Sequence, residues 1–298
     1  MYKQLRKLPK NTYYNLLALR YLLNLERSNK TYVNFLKKAW CLFHGFSSEK
    51  YNLYQLDKNS FKLFLSDFQR HKTSHINGRY SIILDDKNIF TKLLEKENVT
   101  AKVFGEILGG KLYLNQKEVS LNELKELIIL NSKIIIKKRA GGGGKGIYKL
   151  HFESENIHLN DQPVSNEELS KFIDKLDNYI IVEHLNQADY ANNIYSGTIN
   201  TIRIITMKDP ETGEIFIPIA VHKFGSEKTK PADNVWRGGM TALVDIETGI
   251  LKKSALHLEG NRKIIWQEYH PDTKQRIEGK AVPHWNYVKK KVSEIAKK

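Results

Sequence analysis

The sequence contains a single cysteine, Cys41, among 298 residues. One thiol excludes an internal disulfide and a zinc site built from cysteines. Cys41 stands in the apolar run of residues 39–43, which favours a small buried side chain over a reactive nucleophile. The chemistry of this chain therefore rests on other residue types.

Long hydrophobic runs are also missing. The apolar stretch at residues 16–25 is short and is interrupted by Arg20, whereas a membrane-spanning helix needs about 20 apolar residues. No apolar run with a cleavage pattern follows the lysines near the first residue. The sequence therefore predicts a cytoplasmic protein, with the inner face of the membrane as an additional peripheral location.

Acidic residues are outnumbered by basic ones. Lys and Arg number 48 against 33 Asp and Glu, which gives a formal net charge of +15. Such an excess attracts nucleotides, nucleic acids, anionic lipid headgroups or acidic sugars. The lysines are spread over the whole chain and no aromatic RNA-binding motif appears. Nucleic acid is therefore the least favoured partner, and an anionic membrane surface stays a candidate.

Residues 1–86 have the pattern of packed helices. Apolar and aromatic residues recur every three or four positions at residues 12–26 and 31–43. Asp86 then stands where an N-cap is expected, before a helix from Lys87 to about Glu97.

The remaining chain mixes strand and helix patterns. Capping boxes at Ser120 and Ser165 predict two helices, and a last helix is expected near His284. Turn sequences at residues 209–213 and 247–249 predict two hairpins. The other predicted strands are residues 101–108, 111–114, 133–137, 146–152 and 179–184. Together these patterns predict an α+β protein with helices beside antiparallel sheets.

Four consecutive glycines, residues 141–144, lie between two of these strands. Glycines allow positive φ and close backbone approach, so several N–H groups can point at one anion. The loop is not a Walker A motif, because Arg139 and Gly146 replace the required glycine and hydroxyl residue. It is not a Rossmann turn, because it leads into a strand. We predict a flap over a triphosphate; a flexible hairpin tip without a ligand is the alternative.

The motifs around this loop resemble the ATP-grasp superfamily, and in particular its sugar-transfer-associated branch, found with bacterial surface-polysaccharide genes. The resemblance runs from about Asp86 to the last residue. It rests on these strings in order: Asp86-Lys87, residues 134–137 with the glycine loop, 180–185, 199–206, and 232–239 with 282–285. It implies an ATP-grasp fold in which subdomains 87–186 and 187–298 hold ATP, preceded by a helical extension at residues 1–86.

The resemblance also implies roles in nucleotide binding. Lys87 and Lys137 would neutralise the α- and β-phosphates, although a solvated lysine at a strand end is the alternative for Lys137. Glu183 and the backbone near Leu185 would contact adenine. Asp189 would contact the ribose hydroxyls or serve as a helix cap. The phosphate flap would consist of Gly142, Gly143, Gly144, Lys145 and Gly146.

A second group of residues is implied in catalysis. Arg203 lies on an alternating strand, so it faces either solvent or a site, and its guanidinium suits phosphate oxygens. Lys223 and its neighbour His222 lie on the adjacent hairpin strand and would join it. The substrate loop would comprise Asn234, Arg237, Gly238 and Gly239, with a polar surface turn as the alternative.

The implied reaction is carboxylate–amine ligation through an acyl phosphate, with ATP and Mg2+ as cofactors. The small-molecule carboxylate and amine would include an amino acid or an amino sugar, and a protein of the glycan pathway is a further candidate partner. In this branch the metal ligands follow the helix that begins at Pro283-x-Trp285. We expect no Glu-x-Asn downstream of Arg203, so the metal ligands stay unassigned and we expect the second subdomain to be incomplete.

Three explanations for the missing ligands stay open: a truncated chain, a degenerate family member, or ligands supplied by a partner. Two other functions also stay open. The chain would be a non-catalytic nucleotide-binding interaction module, or a kinase that phosphorylates a hydroxyl of a sugar or small alcohol.

Overall fold

The computed structural model describes residues 9–29, 33–74, 76–144, 146–257 and 264–298. The chain forms two compact units, one of residues 1–81 with 260–264 and one of residues 82–259 with 265–298. The division at residues 86 and 186 that the sequence suggests stays a prediction.

The first unit is helical. Cys41 is buried and packs with Phe46 and Leu56, and burial, with a smaller effect of the Glu26 charge, raises the pKa of its thiol to about 11. The prediction of a small buried side chain at Cys41 is confirmed. The helices are α1 (Lys10–Ser28), α2 (Phe35–Phe43), α3 (Glu49–Leu53) and α4 (Asp67–Thr73). Within the described ranges, no helix combines the length and the apolar content that a membrane crossing requires.

Two helices precede the first sheet, α5 (Ser81–Asp85) and α6 (Lys87–Leu93). The Asp86 carboxylate accepts hydrogen bonds from the backbone N–H groups of Asn88 (2.9 Å) and Ile89 (3.1 Å), which confirms the predicted N-cap. The α-helix ends earlier than predicted, because a 3₁₀ turn at Glu95–Glu97 follows it and Asn98 is left-handed at φ 49°.

The first sheet is antiparallel and has the order β3-β2-β1-β8-β4-β5-β6-β7. Helices α7 (Leu121–Asn131) and α8 (Asn166–Asp174) contribute Leu124 and Leu169 to its core. In β4, Ile134 and Ile136 are fully buried, so Lys137 lies on the opposite face. The strands are β1 (Val103–Leu108), β2 (Lys111–Leu114), β3 (Lys117–Val119), β4 (Lys133–Lys138), β5 (Ile147–Glu153), β6 (Asn156–Leu159), β7 (Gln162–Pro163) and β8 (Tyr179–Glu183).

Both predicted capping boxes are present. The Ser165 hydroxyl accepts from Glu168 N, and the Glu168 carboxylate accepts from Ser165 N at 2.8 Å. The Glu123 carboxylate accepts from Ser120 N at the same distance. Such reciprocal bonds satisfy backbone donors that a helix leaves free at its start.

The second sheet has the order β13-β12-β11-β10-β9. Helices α9 (Asp189–Ile194) and α10 (Trp285–Ala296) add Ile194 and Trp285 to its core, and Trp285 Nε1 donates to Ile246 O at 2.7 Å. The α+β prediction is confirmed. The strands are β9 (Ile202–Lys208), β10 (Ile215–Phe224), β11 (Met240–Val244), β12 (Leu251–His257) and β13 (Ile264–Gln267).

Candidate functional site

The glycine loop joins β4 to β5, and its base pairs with the segment before α6. Lys87 N donates to Arg139 O at 3.0 Å, and Asp86 forms a β-bridge with Ala140. Gly143 and Gly144 have φ values of 73° and 71°, which glycine adopts without a steric penalty. Lys145, predicted to be part of the flap, lies outside the described residues.

Lys87 and Lys137, two of the residues predicted to bind phosphate, lie near the base of the glycine loop. Lys87 Nζ donates to Gly141 O at 3.0 Å. Burial lowers the pKa of Lys137, and the nearby positive charge of Lys87 lowers it further. Burial also lowers the pKa of Lys87, in opposition to the effect of Asp86 and Asp85. The structure therefore brings the two lysines within electrostatic reach of each other, and an anion between them would relieve both unfavourable effects.

Arg139 anchors the loop and was not among the predicted site residues. Its Nε lies 2.7 Å from Asp86 Oδ2, and its Nη1 lies 3.3 Å from Glu106 Oε2. Burial raises the pKa of Asp86, but the hydrogen bond from Ile89 N and the Arg139 guanidinium outweigh it, so the net shift is downward. The only signal for Arg139 in the sequence is its position beside the glycines.

The tip of the loop contacts the segment of residues 232–234. Asn234 Nδ2 donates to Gly143 O at 2.6 Å. A Cβ atom built on Gly144 would lie 2.8 Å from Ala232 Cβ, whereas one on Gly142 meets nothing within 4 Å. The flap, which extends from the first sheet, is thus in contact with a loop that precedes β11 of the second sheet.

Lys223 lies beside that segment. Its Nζ is 3.1 Å from Asp233 Oδ1, while Asp233 Oδ2 accepts hydrogen bonds from the backbone N–H of Thr201 at 2.9 Å and from the Thr201 hydroxyl. Arg203 is exposed and pairs with Val221, two residues before Lys223. Arg203 and Lys223 therefore share one face of the second sheet.

Two further members of the predicted substrate loop, Arg237 and Gly239, differ in exposure. Arg237 is exposed at the end of the 3₁₀ turn Val235–Arg237. Gly239 is buried and donates its N–H to Asn234 O at 3.1 Å, and a Cβ atom there would lie 2.9 Å from Phe224 O. The glycine thus permits a tight turn before β11.

His222 does not join Arg203. It is fully buried on the opposite face, as strand alternation requires, and Tyr190 Oη lies 2.9 Å from its Nε2. Burial lowers the pKa of His222 to about 4, so it is a neutral core residue at physiological pH. The suggestion that His222 acts beside Arg203 is wrong for this reason.

The residues predicted to contact adenine and ribose lie farther along the chain. Glu183 ends β8, and its Oε1 accepts from Lys102 N at 2.7 Å. Leu185 is exposed. Asp189 is the first residue of α9 rather than its cap, which is Ala188. A negative charge there favours the helix N-terminus.

Asn200 belongs to the segment of residues 199–206, is buried, and hydrogen-bonds to two other segments. Its Nδ2 donates to Tyr195 O at 2.6 Å, and its Oδ1 accepts from Gly225 N at 3.1 Å. Asn200 therefore stabilises the fold around this segment.

Mg2+ prefers several carboxylate or water oxygens, and two of the carboxylates near the glycine loop are engaged by cations. Asp86 and Asp233 are already paired with Arg139 and Lys223. Among described residues, one group of at least three His, Cys, Asp or Glu residues could hold a metal, and it lies on β5 and β6. The expectation of no Glu-x-Asn downstream of Arg203 is wrong, because this triplet occurs at residues 259–261; these residues lie outside the described part of the chain.

A family model of sugar-transfer associated ATP-grasp proteins matches residues 68–298. No curated protein and no solved structure matches the chain significantly.

Proposed function

The chain belongs to the sugar-transfer associated ATP-grasp family, whose members bind ATP. We propose that Lys87, Lys137 and the glycine loop hold the triphosphate of ATP. One observation carries this proposal. Lys87 donates to the glycine-rich flap at Gly141 O, and its charge lowers the pKa of Lys137, which lies 50 residues away in sequence. Partly buried like charges are unfavourable without a counter-anion, and a triphosphate supplies one.

The flap completes the phosphate site. Backbone N–H groups of a glycine loop bind anions without side chains, and Gly142, Gly143, Gly144 and Gly146 would serve in this way, with Lys145 adding charge. The hydrogen bond from Asn234 to Gly143 O supports a closed position of this flap. Glu183, Leu185 and Asp189 would contact the nucleoside.

Arg203, Lys223, Asn234 and Arg237 would act at the reacting end of the nucleotide. A guanidinium pairs with phosphate oxygens in a fixed geometry, which suits the γ-phosphoryl group in transfer. Exposed apolar side chains on the same face as Arg203 support a ligand surface there. These are Ile205, Met207, Ile219 and Leu243.

We further propose a carboxylate–amine ligation in the biosynthesis of bacterial capsule or lipopolysaccharide. A carboxylate oxygen takes the γ-phosphoryl group of ATP, and ADP leaves. The amine nitrogen then attacks the acyl carbon, loses a proton, and inorganic phosphate leaves as the amide forms. The residues of this chain act through position and charge. An amino acid or amino sugar is the proposed substrate class, and Mg2+ stays a prediction.

The full chain should be incubated with ATP and pooled amino acids, uronic acids and amino sugars. Release of ADP that requires both a carboxylate and an amine, with a product lighter by one water than its two precursors, supports ligation. Added hydroxylamine should trap the acyl phosphate as a hydroxamate. Lys137→Met should abolish the ADP release, while Lys133→Met, on the same strand and exposed, should retain it.

Two outcomes contradict the ligation. A stable phosphate ester on a hydroxyl would identify a small-molecule kinase. Saturable ATP binding that depends on Lys137 without any product would identify an interaction module.

A further inference from the structure

The hairpin of β5 and β6 carries two histidines and a glutamate on one face. His151 and Glu153 are two residues apart on β5, so their side chains point the same way. His158 on β6 lies directly opposite His151. We call these three residues the His-Glu-His cluster. One ligand atom of each lies within 4.8 Å of the other two.

The spacing is close to that of a zinc site. Tetrahedral zinc with bonds of about 2.0–2.1 Å holds its ligand atoms about 3.3 Å apart. His151 Nε2 and Glu153 Oε2 are already separated by 3.3 Å. The imidazole rings of His151 and His158 have their centroids 4.9 Å apart. The remaining ligand-atom separations are at most 4.8 Å, and the exposed Glu153 and half-buried His158 side chains have room to rotate.

His151 is buried, and its ring stacks on that of His158. The residue is 6% exposed, and its Nδ1 has no hydrogen-bond partner within the described part of the chain. A buried polar atom without a partner destabilises the fold, so an apolar residue would pack better at this position. Its hydrogen-bond partner among those residues is Glu153, whose side chain is largely exposed. The imidazole is thus buried on one side and faces an open carboxylate on the other.

A neighbouring carboxylate is already neutralised. Asp161 Oδ1 lies 2.5 Å from Lys149 Nζ, and this contact, more than the smaller effect of His151, lowers the pKa of Asp161. Because Asp161 is paired with Lys149, we do not include it among the metal ligands. The two imidazoles and Glu153 leave a fourth coordination position for water.

We infer that the His-Glu-His cluster binds a divalent transition-metal ion of the zinc type. Two imidazole nitrogens and one carboxylate suit Zn2+, Co2+ or Ni2+, whereas Mg2+ and Ca2+ prefer oxygen ligands alone. The bound ion would cross-link β5 to β6, the strands that follow the glycine loop.

This site is separate from the lysine pair. His151 pairs with Lys133 on β4, and Lys137 lies four residues farther along that strand, a distance of about 13 Å. His151 and Lys137 lie on the same face of the sheet, separated by this distance. Metal binding and nucleotide binding can therefore be tested independently.

Zinc titration of the EDTA-treated full chain by calorimetry tests the inference. We expect one high-affinity Zn2+ per chain, and an affinity about tenfold or more weaker in Glu153→Gln and in His158→Gln. Glu155→Gln is the matched control, because Glu155 lies in the same hairpin, is exposed, and loses the same charge. It should bind as the parent does. Circular dichroism should show that all three variants fold.

Thermal unfolding gives a second readout. At one Zn2+ concentration, the rise in Tm should be larger for the parent and for Glu155→Gln than for His158→Gln. Equal zinc affinities in the parent and the two ligand variants, or no one-to-one binding by the parent, would overturn the inference.

Discussion

Asn234 Nδ2 donates a hydrogen bond to Gly143 O at 2.6 Å, across 91 positions of the sequence. This bond links the tip of the flap on the first sheet to the loop before β11. It joins the parts of the molecule proposed to bind the phosphates and the substrate. The closure of the flap therefore depends on a side chain outside the flap.

Asn234→Ala should loosen the flap. Removal of the amide donor loses about 1 kcal/mol, which corresponds to roughly fivefold faster amide exchange in residues 139–146. Hydrogen exchange with mass spectrometry measures this, and the affinity for ATP should fall by a similar factor. Asn131→Ala, which removes another amide-to-carbonyl bond at the end of α7, should leave exchange of the flap unchanged.

Gly144→Ala should impair flap closure more than Gly142→Ala. The first substitution places a Cβ atom 2.8 Å from Ala232 Cβ at a φ of 71°, and the second meets nothing within 4 Å. The left-handed backbone alone costs an alanine about 1–2 kcal/mol. We expect roughly tenfold weaker ATP binding for Gly144→Ala by calorimetry, and a change under about twofold for Gly142→Ala. Equal effects would exclude the contact with Ala232 as the cause.

Local patterns in the sequence predicted most of the fold. The capping boxes at Ser120 and Ser165, the N-cap at Asp86 and the two late hairpins depend on neighbouring residues, and the structure has them. The short strands β3, β6, β7 and β13 escaped prediction, because strands of two to four residues show little alternation.

Contacts between distant segments could not be predicted in the same way. Nothing near Arg139 in sequence indicates that it pairs with Asp86 and Glu106. The burial of His222 follows from strand alternation, but which face is covered depends on helices α9 and α10. Strand periodicity places a residue on a face, and only the tertiary fold decides whether that face is a core or a site.

Lys137→Met should stabilise the ligand-free chain while it weakens ATP binding. Burial and Lys87 disfavour the charged form of Lys137, so the apolar side chain removes an unfavourable charge. A gain of about 1 kcal/mol would raise Tm by roughly 2–4 °C. Calorimetry should show at least about tenfold weaker ATP binding. A lower Tm with unchanged ATP affinity would contradict the proposed role.

The pH dependence of the same variant has a defined sign. The folded chain releases the Lys137 proton at a lower pH than the unfolded chain, whose lysine pKa is about 10.4. The parent therefore regains stability as pH rises from the lowered pKa toward that value. The Tm advantage of Lys137→Met should shrink over this range, as scanning fluorimetry at pH values of about 7 to 10 can measure.

Asp86→Ala should destabilise the chain more than Asp86→Asn. Alanine loses both the N-cap and the ion pair with Arg139, at about 1–2 kcal/mol, whereas asparagine caps as well as aspartate and loses only the ion pair. Urea unfolding measures the difference. The pKa of Asp86 is lowered, so its contribution is present above the unfolded value of about 3.9 and is lost as pH falls through the folded value.

The unfavourable pairing of Lys87 with Lys137 has a consequence for the empty chain. A ligand that binds only the folded state raises its free energy of unfolding by mass action. An anion that neutralises both lysines also removes the repulsion between them. When the two lysines hold a triphosphate, the free energy of unfolding of this chain rises with the nucleotide concentration. Loss of the nucleotide would then lower the free energy of unfolding of this chain.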